Sequence, residues 1–288
     1  MSPRRRRRLL PYLLLAPGIL WLGVFFLVPA LNQAYVSLWG GTPEAGQSFA
    51  WKWGNYSDAL STYSTQIVRS LWYAAAATVL AFVIAFPLAY YIAFKAPRWL
   101  KPLLLLLIIL PFFTSYLVRT NAWQTILADD GWVVNSLQSV GLVSSNGRLL
   151  ATGVAVVAGI TYNFLPFMAL PLYVSLEKID KRLIEAATDL YAGRFTAFRK
   201  VTMPLALPGI FAGSLLTFIP AVGDFVNASL LGSPRQYMIG NVIQSKFLRT
   251  QDYPEAAALS FILMALILFG VFAYTRVLGR ERLTEAAV

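Results

Sequence analysis

An all-α membrane protein with six transmembrane helices is the fold class this sequence predicts, on three observations. Of the 288 residues only 13% are charged while 58% are hydrophobic, and the mean hydropathy is +0.62, whereas soluble domains carry about a quarter charged residues. Six apolar runs are each long enough for the roughly 20 helical residues that cross a hydrocarbon core. Seventeen of the 24 basic residues fall on one side of those runs, the skew that marks a cytoplasmic face.

The first run, Leu9–Leu38, follows the basic stretch Arg4–Arg8. That start also resembles an export signal, with Arg7-Arg8 mimicking a twin-arginine pair, but the run is far longer than a signal core of about 7–15 residues. The second run is Ile67–Phe94 and the third Leu103–Leu127; both hold a proline, Pro87 and Pro111. The fourth, Leu149–Leu176, contains Pro166 and Pro171; the fifth, Leu207–Leu231, contains Pro220; the sixth is Ala256–Val277. Membrane helices tolerate such prolines where neighbours satisfy the freed carbonyls. The basic skew places both termini in the cytoplasm. It also accounts for the whole net charge of +11, because the acids divide almost evenly and leave the outer face near neutral. The charge therefore reflects topology and gives no reason to expect a nucleic-acid partner. A single membrane domain occupies the full length, 1–288, with no room for a separate soluble domain.

Cysteine and histidine are both absent. Disulfides, thiolate nucleophiles, Cys/His zinc sites, Fe–S clusters and imidazole relays are thereby excluded. No G-x-x-x-x-G-K-[ST] element occurs, so the chain carries no such nucleotide site of its own. Transport energy must come from a partner or from a gradient.

Between the fourth and fifth runs lies a polar segment, about residues 180–204. From Asp180 its apolar positions are Leu183, Ile184, Ala187, Leu190 and Tyr191, which share one helical face. Lys181, Arg182, Glu185 and Asp189 form the other face. Ala192-Gly193 reads as a break, and Phe195, Phe198 and Val201 continue a second short face up to Pro204. Periodicity alone leaves two uses open. One is a pair of interfacial helices anchoring the fifth span to headgroups; the other is a docking surface that passes a partner's movement into the membrane.

Glu185-Ala186-Ala187, closing near Leu207-Pro208-Gly209, resembles the EAA motif of bacterial ABC importer permeases. The likeness extends to permease subunits of spermidine/putrescine importers. It is carried by Pro111-Phe112-Phe113-Thr114-Ser115-Tyr116-Leu117-Val118-Arg119-Thr120, Leu165-Pro166-Phe167-Met168, Pro171-Leu172-Tyr173, Glu177–Lys181 and Ile239-Gly240-Asn241-Val242-Ile243. The resemblance implies a type I permease fold in a bacterial inner membrane, with a cytoplasmic coupling helix pair. Glu185, Ala186, Ala187, Asp189, Tyr191, Gly193 and Arg194 would then face an ATPase. It also implies a second permease subunit, two cytoplasmic ATPase subunits that hold ATP and Mg, and an extracytoplasmic solute-binding protein; no cofactor is expected on this chain. One departure stands out. Tyr191 occupies the turn position where the family usually has Gly, and because Tyr tolerates positive φ poorly, the turn is expected two residues later, at Gly193.

Polar side chains within the spans mark a candidate pathway, since burying them in lipid is costly. Asp224 is the only acid inside a predicted span. Pro220 and Gly223 can open the helix there and turn carbonyls to a cavity, with Asn227 and Phe225 beside the carboxylate. Three roles are open for Asp224: lining a pathway for an ammonium group, capping a helix, or pairing with Arg119. Tyr162 and Asn163 in the fourth span, and Thr114, Tyr116 and Asn121 in the third, are further candidates, although such residues often only join helices. Phe112, Phe113, Trp123 and Phe225 can stack on an alkylammonium. Trp39, Trp51 and Trp53 read as membrane-interface residues.

An ATP-driven importer subunit is thus the function the sequence predicts, with polyamines as the solute and a sugar, an oxyanion or iron as alternatives. A secondary carrier would require inverted repeats and buried relays, of which the sequence offers one acid and no convincing repeat. A membrane enzyme suffers from the missing His and Cys and from the lack of paired carboxylates in one span.

Overall fold

The computed structural model describes residues 14–141, 144 and 147–285, with 277–285 as backbone only. Arg4–Arg8 and the start of the first predicted run, Leu9–Leu13, lie outside the described residues. In chain order the elements are α1 (Leu14–Val36), β1 (Trp39–Thr42), β2 (Gly46–Phe49), α2 (Gly54–Lys95), α3 (Lys101–Phe113), α4 (Tyr116–Ile126) and α5 (Trp132–Ser139). They continue as α6 (Gly153–Glu177), α7 (Lys181–Asp189), α8 (Arg194–Val222), α9 (Val226–Leu231), α10 (Ile239–Leu248) and α11 (Tyr253–Glu285). Among the described residues α1, α2, α6, α8 and α11 are long and apolar enough to cross a membrane; α3 with α4 makes a sixth crossing if that bent pair is one span.

The chain divides into two compact units, Met1–Ser64 with Ile243–Leu266 and Thr65–Val242 with Ile267–Val288. The first contains α1, whose apolar side chains are exposed along its length, and a β-hairpin that the hydropathy pattern does not reveal. Its strands pair antiparallel from Trp39 opposite Phe49 to Thr42 opposite Gly46. Gly41 and Gly46 supply positive φ values of 102° and 90° at the turn, and Asn55 Nδ2 donates to the carbonyls of Ser37 and Trp39, 2.8 Å each. In the same unit Lys246 Nζ meets Glu255 Oε2 at 2.5 Å and Asp252 Oδ2 at 3.4 Å. A cavity of about 550 Å³ is lined by Asn32, Gln33, Trp39, Phe247 and Tyr253 among others.

The second unit is organised by small residues. Ala81, Ala85, Ala89 and Ala93 recur at four-residue spacing along α2 and join Met168, Ala169, Leu172 and Leu176 of α6 in one buried cluster. Close approach through small side chains is how helices associate where lipid is as apolar as the interface. On α8, Gly209 and Gly213 make a G-x-x-x-G face against α6. A Cβ at Gly209 would stand 2.6 Å from the carbonyl oxygen of Pro171, where no side chain fits, and one at Gly213 3.0 Å from that of Met168, where one fits only if its neighbours shift.

Three predicted elements differ from the observed ones. The third span is broken: Pro111 tightens the end of α3 into a 3₁₀ turn, Thr114 and Ser115 are extended, and α3 and α4 bend by 95°. The fifth span ends early, at Val222, because Gly223–Phe225 interrupt it before α9. Finally, the second short helix expected to stop before Pro204 runs on. Phe198–Thr202 widen into a π turn in which Met203 N–H bonds to Phe198 O. The wider turn lets the helix continue through Pro204, whose missing N–H and bulky ring would otherwise break it, so α8 is continuous from Arg194 to Val222.

Candidate functional site

Two groups of residues hold the candidate functional side chains. The first is α7 with the start of α8. Asp180 caps α7, its Oδ1 accepting from Arg182 N–H at 3.0 Å. The inward edge is fixed: Ile179 and Ala197 are buried, and Ile184 and Phe198 pack on the α2–α6 cluster. The Phe198 ring stands edge-on to Phe86, with centroids 5.6 Å apart. Beside it, Lys101 Nζ donates to both carboxylate oxygens of Glu177 at 2.8 Å and to Ala93 O at 2.9 Å. The ends of α2, α3 and α6 are thereby tied together next to α7.

The outward edge is open. Glu185, Ala186, Asp189, Gly193 and Arg194 are exposed and Ala187 is half-buried. Around them Leu183, Leu190, Tyr191 and Phe195 also face outward, Leu190 at 81% and Tyr191 at 100% exposure. Large apolar side chains exposed together on a polar segment are a mark of an interaction surface. The turn differs from expectation: Tyr191 itself takes the left-handed conformation (φ 60°), while Gly193 is extended (φ −61°, ψ 157°). Tyr191 N–H bonds to Thr188 O at 3.0 Å and Ala192 N–H to Ala187 O at 3.0 Å. Those two bonds define a Schellman C-cap, whose geometry requires positive φ at the first residue past the cap; that residue is Tyr191, and a glycine two positions on cannot serve.

The second group surrounds Asp224, between α8 and α9. Asp224 is buried and fully engaged. Its Oδ2 accepts from Tyr116 Oη at 2.5 Å and Asn227 Nδ2 at 2.6 Å, and its Oδ1 accepts from Asn227 N–H at 3.0 Å. Asn227 Nδ2 also reaches Tyr116 Oη at 2.7 Å. Asn163 Nδ2 donates to Asn227 Oδ1 and to Thr120 Oγ1, both at 3.2 Å. The break before α9 therefore brings α4 and α9 onto one carboxylate, and α6 joins them through Asn227. The carbonyls it frees do not turn to a cavity as expected. Phe225 O accepts from Asn241 Nδ2 at 2.9 Å, and Gly240 packs so tightly over Gly223 O that no Cβ would fit. The remaining candidates are peripheral: Thr114 and Asn121 are exposed, Tyr162 is half-buried against Trp123, and Phe225 is partly exposed.

Sequence reasoning missed Thr120 and Asn241 as members of this network. Of the roles left open for Asp224, the structure shows the helix cap, its Oδ1 accepting from Asn227 N–H at the start of α9, and no pairing with Arg119 among the described residues. Arg119 is buried, yet its Nε and Nη1 have no hydrogen-bond partner among the described residues. Its guanidinium lies over the rings of Phe112 and Tyr116, 5.8 and 5.7 Å from their centroids. Asn163 Oδ1 and Thr217 Oγ1 are likewise buried without a partner among the described residues.

Long apolar helices, a broken span with a buried carboxylate, and an outward-facing polar segment between two spans together define a membrane permease. The chain belongs to the family of binding-protein-dependent transport system inner membrane components, whose model matches residues 85–282. It is 38% identical over 265 residues to the spermidine/putrescine transport system permease protein PotB of Haemophilus influenzae, covering 91% of this chain and 92% of that one. It is 36% identical to PotB of Escherichia coli K12, with 91% and 96% coverage. Among solved structures, a bacterial alginate ABC transporter in complex with an alginate pentasaccharide-bound periplasmic protein has a chain that superposes with TM-score 0.68 at 18% identity, covering 94% of each. At that identity the likeness speaks for the fold alone.

Proposed function

We propose that this chain is the permease subunit of an ATP-driven importer that carries spermidine, putrescine or a closely similar polyamine into the cytoplasm by alternating access. The observation that carries the reading is the similarity to spermidine/putrescine permeases over nine-tenths of the chain. In this reading both termini are cytoplasmic. Two ATPase subunits, holding ATP and Mg, dock on α7 and the start of α8, with Glu185, Ala186, Ala187, Asp189, Tyr191, Gly193 and Arg194 at the contact. A second permease completes the pathway and an extracytoplasmic binding protein delivers the solute.

The geometry supports a mechanical role for the segment. Its inward edge, through Ile184 and Phe198, rests on the α2–α6 cluster, and α8 is one helix from the docking surface into the membrane. A push on Tyr191 or Phe195 therefore reaches two spans without a flexible link. Asp224 is the anionic group for an ammonium moving along the pathway, with Tyr116, Asn163 and Asn227 holding it and Phe225, Tyr162, Thr114 and Asn121 nearer the edges.

Reconstitution of the full importer in vesicles tests the reading: ATP-dependent, vanadate-sensitive uptake of labelled spermidine is expected. Glu185→Arg uncouples ATP hydrolysis from uptake while leaving the protein in the membrane, and Asp224→Asn lowers uptake more than assembly. Uptake that persists without ATPase subunits would refute the importer.

A further inference from the structure

Arg119 is the least explained residue in the molecule. Buried cations in proteins are paired, because desolvation is otherwise uncompensated. Arg119 has no ion pair among the described residues, and two of its three nitrogens lack any hydrogen-bond partner there. Asp224 shows the complementary anomaly. It is a buried carboxylate whose three hydrogen bonds all come from neutral donors, the Tyr116 hydroxyl and the side chain and backbone of Asn227. The two opposite charges converge on one residue: Asp224 accepts the hydroxyl of Tyr116, and Arg119 lies over its ring.

We infer that Arg119 is the resident counter-cation of Asp224. In the state described here it is held aside on Phe112 and Tyr116, and in the opposite state of the transport cycle it moves onto the carboxylate. The inference rests on the reading of the chain as an alternating-access permease for a cation. The geometry makes the exchange short. Arg119 follows Tyr116 by three residues on α4 and so shares its face, and three helical residues rise about 4.5 Å. A step of α4 along α9 of less than one turn, a known mode of interface switching, puts the guanidinium where the hydroxyl now stands. Both elements are short and lie next to breaks, α4 after the 95° bend and α9 after Gly223–Phe225, so neither is rigidly continuous with a long span on that side.

The exchange has a transport consequence. A buried carboxylate that attracts an ammonium also retains it, and the solute then leaves slowly. A guanidinium that takes the vacated carboxylate displaces the solute and leaves no bare charge behind. Arg suits this better than Lys, since its planar fork meets both carboxylate oxygens at once.

A double-mutant cycle on the assembled importer, with Arg119→Gln and Asp224→Asn, tests this. Thermal unfolding midpoints are read in the nucleotide-free form and in the vanadate-trapped form. In one form the single effects couple weakly, through the shared Tyr116; in the other the coupling exceeds that by about 2 °C or more, since direct contact couples residues more strongly than a shared partner. Additivity in both forms, or equal coupling in both, overturns the exchange. Should Arg119→Gln fail to assemble, Arg119→Lys runs the same cycle, keeping the charge and losing the fork. Spermidine uptake by the unaltered importer is measured alongside: additivity with intact uptake removes only the exchange, and state-dependent coupling without spermidine uptake keeps the pair and removes the polyamine.

Discussion

The α7 segment and the Asp224 cluster place their chemistry in opposite ways. The segment exposes apolar side chains, Leu190, Tyr191 and Phe195, around a charged helix, at little cost to the fold. The cluster buries a carboxylate, two asparagines and a guanidinium where each has a high desolvation cost. The difference teaches where each region's function is limited. In the proposed importer another surface completes the segment's contacts, so changes there are expected to alter partnership and leave the chain folded. The contacts of Asp224 and Asn227 are made within the chain, so changes there alter folding and function together.

The largest effect that tests this contrast is at Asn227. Its amide donates to Asp224 and Tyr116 and accepts from Asn163. Asn227→Leu strips the buried carboxylate of its side-chain donor, takes a partner from the Tyr116 hydroxyl and leaves the Asn163 amide with one acceptor of its two, a loss of about 3 kcal/mol, since an unsatisfied buried group costs most beside a charge. Thermal unfolding in detergent is expected several degrees lower, with reduced yield. An unchanged midpoint would show that the cluster is not the closed network described. An intermediate effect is expected at Gly213, where α8 meets α6. Gly213→Ala sets a Cβ 2.9 Å from Met168 Sδ and 3.0 Å from its carbonyl oxygen, and overpacking of this kind costs about 1–3 kcal/mol. A midpoint equal to that of the unaltered chain would mean that the two helices can part freely.

At the segment the expectation reverses. Leu190→Ser leaves the unfolding midpoint within error, because the side chain touches little of its own chain. Binding of the ATPase subunits, followed by titration in detergent, weakens roughly tenfold or more if Leu190 fills a pocket on that partner, as apolar anchors at interface centres do. A lower midpoint with unchanged binding would place Leu190 among structural residues and break the contrast.

Much of the first region was legible in the sequence because period and charge act locally. Leu183, Ile184 and Ala187 at helical spacing, with Glu185 and Asp189 opposite, specify α7 whatever packs against it. The broken third span was hidden because hydropathy sees Pro111–Ser115 as part of one apolar run, while the bend is made by backbone angles at Thr114 and Ser115. The passage of α8 through Pro204 was hidden for a related reason: a π turn leaves no mark in composition. In the second region Asp224, Asn163, Asn227 and Tyr116 stood out as costly polar residues, but their partners did not. Thr120 and Asn241 look ordinary until tertiary packing brings α4 and α10 to the break. The isolation of Arg119 is a property of its neighbours, and no single-sequence signal records it.

Tyr191 gives the smallest effect and the sharpest test of the contrast. Left-handed backbone costs a residue with a Cβ about 1–2 kcal/mol relative to its ordinary conformation, and Gly escapes that cost while losing part of the gain to chain entropy. Tyr191→Gly is therefore expected to slow exchange of the Tyr191 and Ala192 amide protons, which close the C-cap of α7, by a factor of roughly two to five. If strain is retained at this fully exposed ring for the sake of a partner, the same substitution weakens ATPase binding although it steadies the turn. Tyr191→Asn, which tolerates positive φ without supplying a ring, separates the two contributions: it too should steady the turn and weaken binding. Should either variant bind the ATPase as the unaltered chain does, Tyr191 would be a tolerated imperfection in the turn, and the apolar rim at Leu190 and Phe195 would carry the docking alone.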